Sequence, residues 1–144
     1  SQCRAAAYSF GVDLIADTTV LIDLWRHRRT PQRLEELVRK ARGASLVVPW
    51  ITEAEFSRGA LHKGVGREAL ESFYRGFLRL ALDQRTIDRY CDLWVTMARK
   101  GKAPDYPDLW IAASASVLDA PVLTRNPAHF AAVPGLSVAA YELL

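Results

Sequence analysis

Short apolar segments alternate with longer amphipathic segments along most of the chain. The apolar segments predict five strands, at residues 12–16, 46–49, 78–82, 122–124 and 136–139. Between them, hydrophobic residues recur every three to four positions, which is typical of helices. This spacing predicts helices at residues 19–27, 31–41, 52–61, 67–77, 86–99 and 107–118, with a helical turn at 128–132. The helix at 86–99 is predicted to turn an apolar face to the core, formed by Ile87, Tyr90, Cys91, Trp94, Val95 and Ala98. Short strands alternating with helices predict an α/β protein, a three-layer sandwich around a mostly parallel sheet.

The length of the chain, 144 residues, favours a single domain. We expect a poorly ordered leader at residues 1–10 and one folded domain at residues 11–144. No apolar run approaches the roughly 18 residues that a membrane-spanning helix requires. The two cysteines form neither a metal-binding spacing nor a disulfide framework. These features predict a cytoplasmic protein that does not span a membrane.

The charge of the chain is mildly positive, with a formal net value of +3. Most of the excess lies in residues 25–42, where seven basic residues stand against two acidic ones. A basic patch of this kind suits a polyanion such as RNA, because lysine and arginine contact phosphates. A solvated helix face is the simpler alternative for the same residues.

Three carboxylates and one amide fall near the predicted ends of strands or the first turns of helices. Asp17 follows the first strand, Glu55 follows the second, and Asn126 follows the fourth. Asp108 lies at the start of the last long helix. Oxygen ligands of this kind suit Mg²⁺, which keeps several waters and takes only one or two protein carboxylates. The pattern therefore indicates a metal-assisted phosphoryl chemistry at one edge of the sheet.

Each of these residues also has a purely structural explanation. Asp17 is a potential helix N-cap, and Thr52 with Glu55 has the spacing of a capping box. Asp108 in a first helical turn is favoured by the helix dipole. Asn126 suits a turn before proline or an N-cap. The sequence alone leaves both explanations open at every position.

Four segments of the chain resemble PIN-domain ribonucleases, especially the VapC-type toxins of bacterial toxin–antitoxin pairs. The segments are ADTTVLID at 16–23, ITEAEFSRGA at 51–60, PDLWIAASA at 107–115 and VLTRNPAHF at 122–130. The resemblance covers nearly all of residues 12–144. It implies a five-stranded parallel sheet in the order 3-2-1-4-5 and a phosphodiesterase site that uses Mg²⁺ or Mn²⁺. It also implies an RNA substrate and a VapB-type antitoxin as partner. The resemblance and the aromatic content of the chain together predict a homodimer.

The resemblance carries over to single residues by position. The implied metal ligands are Asp17, Glu55, Asp108 and Asn126. Glu55 is chosen over Glu53 because Gly59 follows it by four residues, as in the family. Thr19 stands where the family usually has a small polar residue that orients the first aspartate or a water. Asn126 carries no charge, so Asp105 is a candidate to compensate, although its position between two prolines suggests a loop turn.

The favoured hypothesis is a metal-dependent endoribonuclease that serves as the toxin of a toxin–antitoxin pair. The alternative is a PIN-like module with weak catalysis that binds RNA or a protein, and the uncharged Asn126 supports it. A phosphotransfer domain of the haloacid-dehalogenase type also places an aspartate after the first strand. That chemistry requires a second acid two residues later, where Thr19 stands. A receiver domain is disfavoured because no acidic pair follows the first strand.

Overall fold

The computed structural model describes residues 13–102 and 106–144. Five parallel strands form one sheet in the order β3-β2-β1-β4-β5. The strands are β1 Asp13–Ala16, β2 Ser45–Pro49, β3 Leu78–Leu80, β4 Val122–Thr124 and β5 Val138–Ala140. The α/β class, the five parallel strands and their order are confirmed. Residues 1–10, predicted as a poorly ordered leader, and the first residue of the predicted first strand lie outside the described residues, as does Asp105.

In the part of the chain that the structure describes, six α-helices connect the strands. They are α1 Thr18–Arg26, α2 Glu35–Ala41, α3 Trp50–His62, α4 Arg67–Tyr74, α5 Gln84–Arg99 and α6 Tyr106–Leu118. Two 3-10 turns, Pro31–Leu34 and Pro127–Phe130, precede α2 and follow β4. No helix in residues 13–102 and 106–144 is long and apolar enough to cross a membrane.

Alternating side chains of the central strands divide the core into layers. Ile15, Val47 and Val122 point to one face of the sheet, where they pack with buried residues of α5 and α6. Leu14 and Leu123 point to the other face and pack with Val20 of α1 and with residues around α2. Since successive strand residues face opposite sides, both faces are covered and the three-layer sandwich is confirmed.

The buried face of α5 differs from the prediction. Hydrophobic spacing favoured a core face that included Cys91, Trp94 and Val95, but all three are exposed. Leu93 and Met97 are buried instead. The helix is apolar over more of its circumference than α6 and the sheet can cover. Its contact with α6 therefore decides which residues are buried, and the remaining apolar residues face outward.

Candidate active site

Asp17 lies at the centre of the candidate site, directly after β1. Because β1 pairs with β2 on one side and β4 on the other, its carboxyl end lies in the middle of the sheet edge. The side chain of Asp17 is the N-cap of α1, with Oδ1 accepting a hydrogen bond from the backbone N–H of Val20 at 3.3 Å. The capping explanation is therefore confirmed, and it accounts for only one of the contacts that this carboxylate makes.

Two hydroxyl groups complete the surroundings of the Asp17 carboxylate. Thr19 donates to Oδ1 at 2.5 Å, and Thr124 donates to Oδ2 at 2.5 Å. Thr19 thus contacts Asp17, at the position where the resemblance implied an orienting residue. Thr124 is fully buried and also accepts the backbone N–H of Asn126 at 2.9 Å. The sequence pattern did not single out Thr124; its place at the end of β4, two residues before Asn126, was the available signal.

Burial dominates the electrostatics of Asp17. The residue is only 5% exposed, and this desolvation raises the pKa of its carboxyl group. The hydrogen bonds from Thr124, Thr19 and the backbone lower the pKa and offset part of that rise. Within the described part of the chain, the hydrogen-bond partners of Asp17 are neutral groups. A buried carboxylate without a positive partner is unfavourable, so the site is suited to a bound cation.

Glu55 reaches the same edge of the sheet from α3. Its Oε1 accepts a hydrogen bond from the hydroxyl of Thr18 at 2.8 Å, and Thr18 is the neighbour of Asp17 in the chain. The capping-box explanation is wrong, because α3 already begins at Trp50. The hydroxyl of Thr52 instead donates to the backbone carbonyl of Ala16 at 2.9 Å. This bond fixes α3 against the end of β1.

Glu53, two residues earlier in α3, points to a different part of the molecule. Its Oε1 lies 3.4 Å from Nε of Arg79, a residue of the edge strand β3. The choice of Glu55 over Glu53 thus agrees with the geometry of α3. Glu53 is therefore an acidic residue on the same helix as Glu55 that contacts Arg79 rather than the segment around Asp17.

Asp108, in α6, and Asn126, which follows β4, lie on the side of β1 opposite to Glu55. Asp108 stands in the first turn of α6, as the helix dipole favours. Its Oδ2 lies 3.6 Å from Nδ1 of His129, in the 3-10 turn after Asn126. The side chain of Asn126 makes no capping hydrogen bond to that turn. The structure therefore gives Asn126 no side-chain capping role.

The acidic side chains of the described residues do not form a closed metal-binding cage. Among residues 13–102 and 106–144, no three His, Cys, Asp or Glu side chains are grouped closely enough to hold one ion together. Mg²⁺ commonly binds through one or two carboxylates and keeps several waters. The donor set, carboxylate and amide oxygens around the buried Asp17, therefore suits a hydrated hard cation better than a structural metal such as zinc.

A second buried carboxylate, which the sequence pattern did not single out, stabilises the elements that carry the site. Asp23 of α1 is 2% exposed, and its Oδ2 accepts hydrogen bonds from Nε of Arg125 at 3.0 Å and from the Tyr141 hydroxyl at 2.6 Å. Burial and the contact with Asp23 raise the pKa of the Tyr141 hydroxyl. The backbone N–H of Arg125 donates to Thr19 at 3.4 Å. This network holds the end of β4 against α1.

Comparison with known proteins agrees with this fold. The model of the PIN domain family matches residues 14–136. Over 130 residues the chain is 30% identical to ribonuclease VapC1 of Methanocaldococcus jannaschii, covering 90% of this chain and 87% of that protein. The toxin–antitoxin complex from Klebsiella pneumoniae contains a chain that is 25% identical, with a TM-score of 0.68. The match covers 90% of this chain and 99% of that one. A chain of DNA-bound VapBC from Salmonella typhimurium is 21% identical, with a TM-score of 0.75, and the match covers 90% of this chain and 98% of that one.

These matches define the class of the protein. The chain belongs to the PIN-domain family, whose nucleases typically use divalent metal ions. Within that family it is homologous to the VapC ribonuclease toxins of VapBC toxin–antitoxin systems. The resemblance drawn from the four sequence segments is confirmed, and with it the assignment as a VapC-like ribonuclease toxin.

The burial of Asp17 predicts a stability change with pH. Because burial raises the pKa of Asp17 in the folded state, protonation of its carboxyl group stabilises the fold. This stabilisation is fully present below the ordinary pKa of 3.8, and it is lost as the pH rises through the pKa of the folded state. Asp17→Asn removes the charge, so we expect it to raise the melting temperature at pH 7 in a chelating buffer by about 2–5 °C. Melting curves between pH 4 and 8 should show this difference in melting temperature shrinking towards low pH.

Asp92→Asn, at an exposed position of α5, is the control for the Asp17 variant. A melting temperature of Asp17→Asn at or below that of the wild type at pH 7 would contradict the prediction.

Proposed function

We propose that this protein is an endoribonuclease that depends on Mg²⁺ or Mn²⁺, and that Asp17, Glu55, Asp108 and Asn126 hold the ion, one or two of them directly and the others through its bound waters. One observation carries the proposal: the buried Asp17 carboxylate ends the central strand, and its described partners are hydroxyls and a backbone amide. A divalent cation is the partner that this charge lacks. Glu55, joined to Asp17 through Thr18, adds a second negative charge on the same side.

The residues of the site have distinct roles in the proposed reaction. The divalent ion, when bound, lowers the pKa of water and stabilises the oxygens of an in-line phosphoryl displacement. Asp17 and Glu55 supply most of the negative charge that attracts the ion. Thr19 and Thr124 are positioning residues, because each fixes one oxygen of the Asp17 carboxylate. The proposed chemistry requires no serine, cysteine or histidine nucleophile.

Asp108 and Asn126 complete the proposed site from the other side of β1. Asp108 supplies a third carboxylate, and the nearby His129 links it to the turn that follows β4. Asn126 supplies an amide oxygen that adds a ligand without adding charge. A site with three carboxylates and one amide attracts a divalent ion less strongly than one with four carboxylates. This difference is the observation that favours the alternative of a weakly catalytic binding module.

We propose further that the protein acts in the cytoplasm as the toxin of a VapBC-type pair and binds a VapB-type antitoxin. The structure from Klebsiella pneumoniae is a toxin–antitoxin complex, and the one from Salmonella typhimurium is VapBC bound to DNA. A homodimer is also part of the proposal. It is supported by an exposed apolar strip on α5, formed by Cys91, Trp94 and Val95. These residues share one helix face by their spacing, and such patches commonly form protein interfaces.

Removal of single charges tests the catalytic assignment. Asp17→Asn, Glu55→Gln and Asp108→Asn should each lower the rate of RNA cleavage by roughly 100-fold or more, because each removes charge that holds the ion. Glu53→Gln is the matched control, since Glu53 lies on the same helix as Glu55 but pairs with Arg79. Cleavage of a single-stranded RNA in Mn²⁺ is the measurement. Wild-type rates in two of the three variants would refute the assignment.

The role of Asn126, the uncharged residue of the proposed site, is tested by adding a charge. Asn126→Asp should lower the melting temperature in a chelating buffer, because a fourth carboxylate repels its neighbours. In Mn²⁺ the same variant should half-saturate at a concentration lower by about 10-fold, since attraction to a divalent ion grows with each negative ligand. Thermal melting across a Mn²⁺ titration measures both effects. A turn residue tolerates aspartate as well as asparagine, so identical curves would remove Asn126 from the site.

The proposed dimer is tested on the exposed face of α5. Trp94 is 48% exposed, and Trp94→Glu places a charge in the apolar strip. We expect the wild type to sediment as a dimer at micromolar concentration and this variant to sediment as a monomer that still unfolds cooperatively, at a lower melting temperature because the stabilisation from dimerisation is lost. Thr96→Glu, at another exposed position of α5, is the control. A wild type that sediments only as a monomer contradicts the dimer, and a dimeric Trp94→Glu variant places its interface elsewhere.

A further inference from the structure

Arg125 is a basic residue that lies between two residues of the candidate site. It follows Thr124, whose hydroxyl donates to the Asp17 carboxylate, and it precedes Asn126. Its backbone N–H donates to the hydroxyl of Thr19 at 3.4 Å, and Thr19 holds the other oxygen of Asp17. The backbone of Arg125 is therefore fixed by the same hydroxyl groups that orient the central carboxylate.

The side chain of Arg125 is held at one end by the buried Asp23 of α1. Nε of Arg125 donates to Oδ2 of Asp23 at 3.0 Å, and the hydroxyl of Tyr141 donates to the same oxygen at 2.6 Å. Both Asp23 and Tyr141 are buried. Asp23 lies four residues after Thr19, which is about one turn of α1 or 6 Å along the helix axis. The guanidinium group thus has a rigid anchor about one helical turn from the residues around Asp17.

The geometry of this ion pair leaves much of the guanidinium group unused. Arginine and carboxylate groups frequently pair through two parallel hydrogen bonds. Here Nε donates to Asp23, and no residue in the described part of the chain accepts a hydrogen bond from either Nη amino group of Arg125. The side chain of Arg125 is 40% exposed, whereas that of Asp23 is 2% exposed. Two amino groups of a fixed guanidinium therefore remain available at the surface.

A purely structural ion pair is the simpler explanation of these contacts. A buried carboxylate is strongly destabilising without a positive partner, and Arg125 is the positive partner of Asp23. That explanation accounts for the position of Nε. It does not account for two exposed amino groups beside the candidate site.

The charges of the candidate site favour a further role for these amino groups. Asp17, Glu55 and Asp108 are acidic, so an RNA backbone that approaches them requires positive groups nearby. A bound divalent ion supplies charge at the reacting phosphate, but not at the next one along the strand. The planar fork of an arginine matches the oxygens of a phosphate. Arg125 therefore has the charge and the geometry to bind a phosphate next to the site.

Building on the proposed ribonuclease function, we propose that Arg125 binds a phosphate of the RNA strand adjacent to the scissile phosphate, while Asp23 holds its guanidinium group in place. The strand runs from the ion beside Asp17 past Asn126 to the two amino groups. Phosphate contacts carry no sequence information, so this contact adds affinity without preference for a base. Binding of this kind is the same in the ground state and the transition state, so it lowers KM and leaves kcat unchanged.

A double substitution separates the phosphate contact from the structural ion pair. Asp23→Asn combined with Arg125→Gln removes both charges of the pair, so the net charge of the protein is unchanged and no buried charge is left alone. The probe is a fluorescein-labelled single-stranded RNA of ten nucleotides, titrated in a chelating buffer and followed by anisotropy. We expect affinity to fall by about 5- to 10-fold and the slope of log affinity against log salt to decrease by about 0.7, the value for one phosphate contact on a single strand.

Arg89→Gln is the control for loss of a positive charge elsewhere. Arg89 is exposed on α5, and its guanidinium group donates to the hydroxyl of Ser116. Ser116 lies eight residues beyond Asp108 in α6, about 12 Å along the helix axis. We expect Arg89→Gln to bind the RNA with the affinity and the salt slope of the wild type.

Arg125→Lys tests whether the fork itself is needed. Lysine keeps the charge, but its single ammonium group cannot hold Asp23 and a phosphate from two separate edges. We expect a melting temperature close to that of the wild type and an RNA affinity lower by about 3-fold or more. If Arg125 had only a structural role, lysine would restore both the melting temperature and the affinity.

Cleavage in Mn²⁺ gives an independent readout. The double variant should raise KM by about the factor that it loses in affinity, with kcat within about 2-fold of the wild type. A fall in kcat alone would overturn the proposal, because Arg125 would then act through the geometry around Asp17.

Wild-type affinity and salt slope in the double variant would also overturn the proposal and leave Arg125 as the structural partner of Asp23. If the double variant fails to fold, Arg125→Lys decides, and full rescue by lysine is the contradicting result. In each of these cases cleavage by the wild type would still stand. A wild type that neither binds nor cleaves RNA would instead refute the ribonuclease function itself.

Discussion

The structure depends on a carboxylate that is buried without a positive partner. Asp17 lies where the central strand ends, and burial there raises the pKa of its carboxyl group. Its described contacts are neutral hydroxyls and a backbone amide, which orient the charge without neutralising it. A fold selected only for stability would have little reason to keep such a charge. The arrangement is favourable once a cation is bound, so local instability and the proposed function have the same cause.

Neighbouring elements are tied to this one position. Thr52 holds α3 to the carbonyl of Ala16, and Thr124 holds β4 to the Asp17 side chain. Asp23, with Arg125 and Tyr141, fixes the end of β4 against α1. The end of β1 and the Asp17 carboxylate are thus held by hydrogen bonds from two helices, α1 and α3, and from one strand, β4. Such rigidity suits a site in which small displacements of a ligand reduce activity strongly.

Much of the fold and part of the candidate site could be predicted from the sequence. Alternating apolar strands and amphipathic helices are local patterns, and they indicated the parallel sheet. Asp17 and Glu55 could be placed because each follows a strand, and strand ends meet at one edge of a parallel sheet. The Asp23 network could not be predicted, since Tyr141 lies 118 residues away and nothing local marks the contact.

Other errors have the same origin in tertiary packing. Thr52 and Glu55 have the spacing of a capping box, but Pro49 allows α3 to begin two residues earlier, so the spacing has no capping role. The exposed side of α5 was assigned to the core because Trp94 and Val95 are apolar, whereas burial is decided by what α6 covers. A local pattern states what a residue is able to do, and the neighbouring elements decide which of these it does.

The bond between Thr124 and Asp17 joins residues 107 positions apart. It requires that β4 has paired with β1, although more than 100 residues separate the two strands in the chain. During translation β1 and α1 are therefore synthesised well before β4. A nascent chain therefore carries Asp17 and Glu55 without the hydroxyl that orients the first of them. The first carboxylate of the site therefore reaches its final orientation only after β4 has joined the sheet.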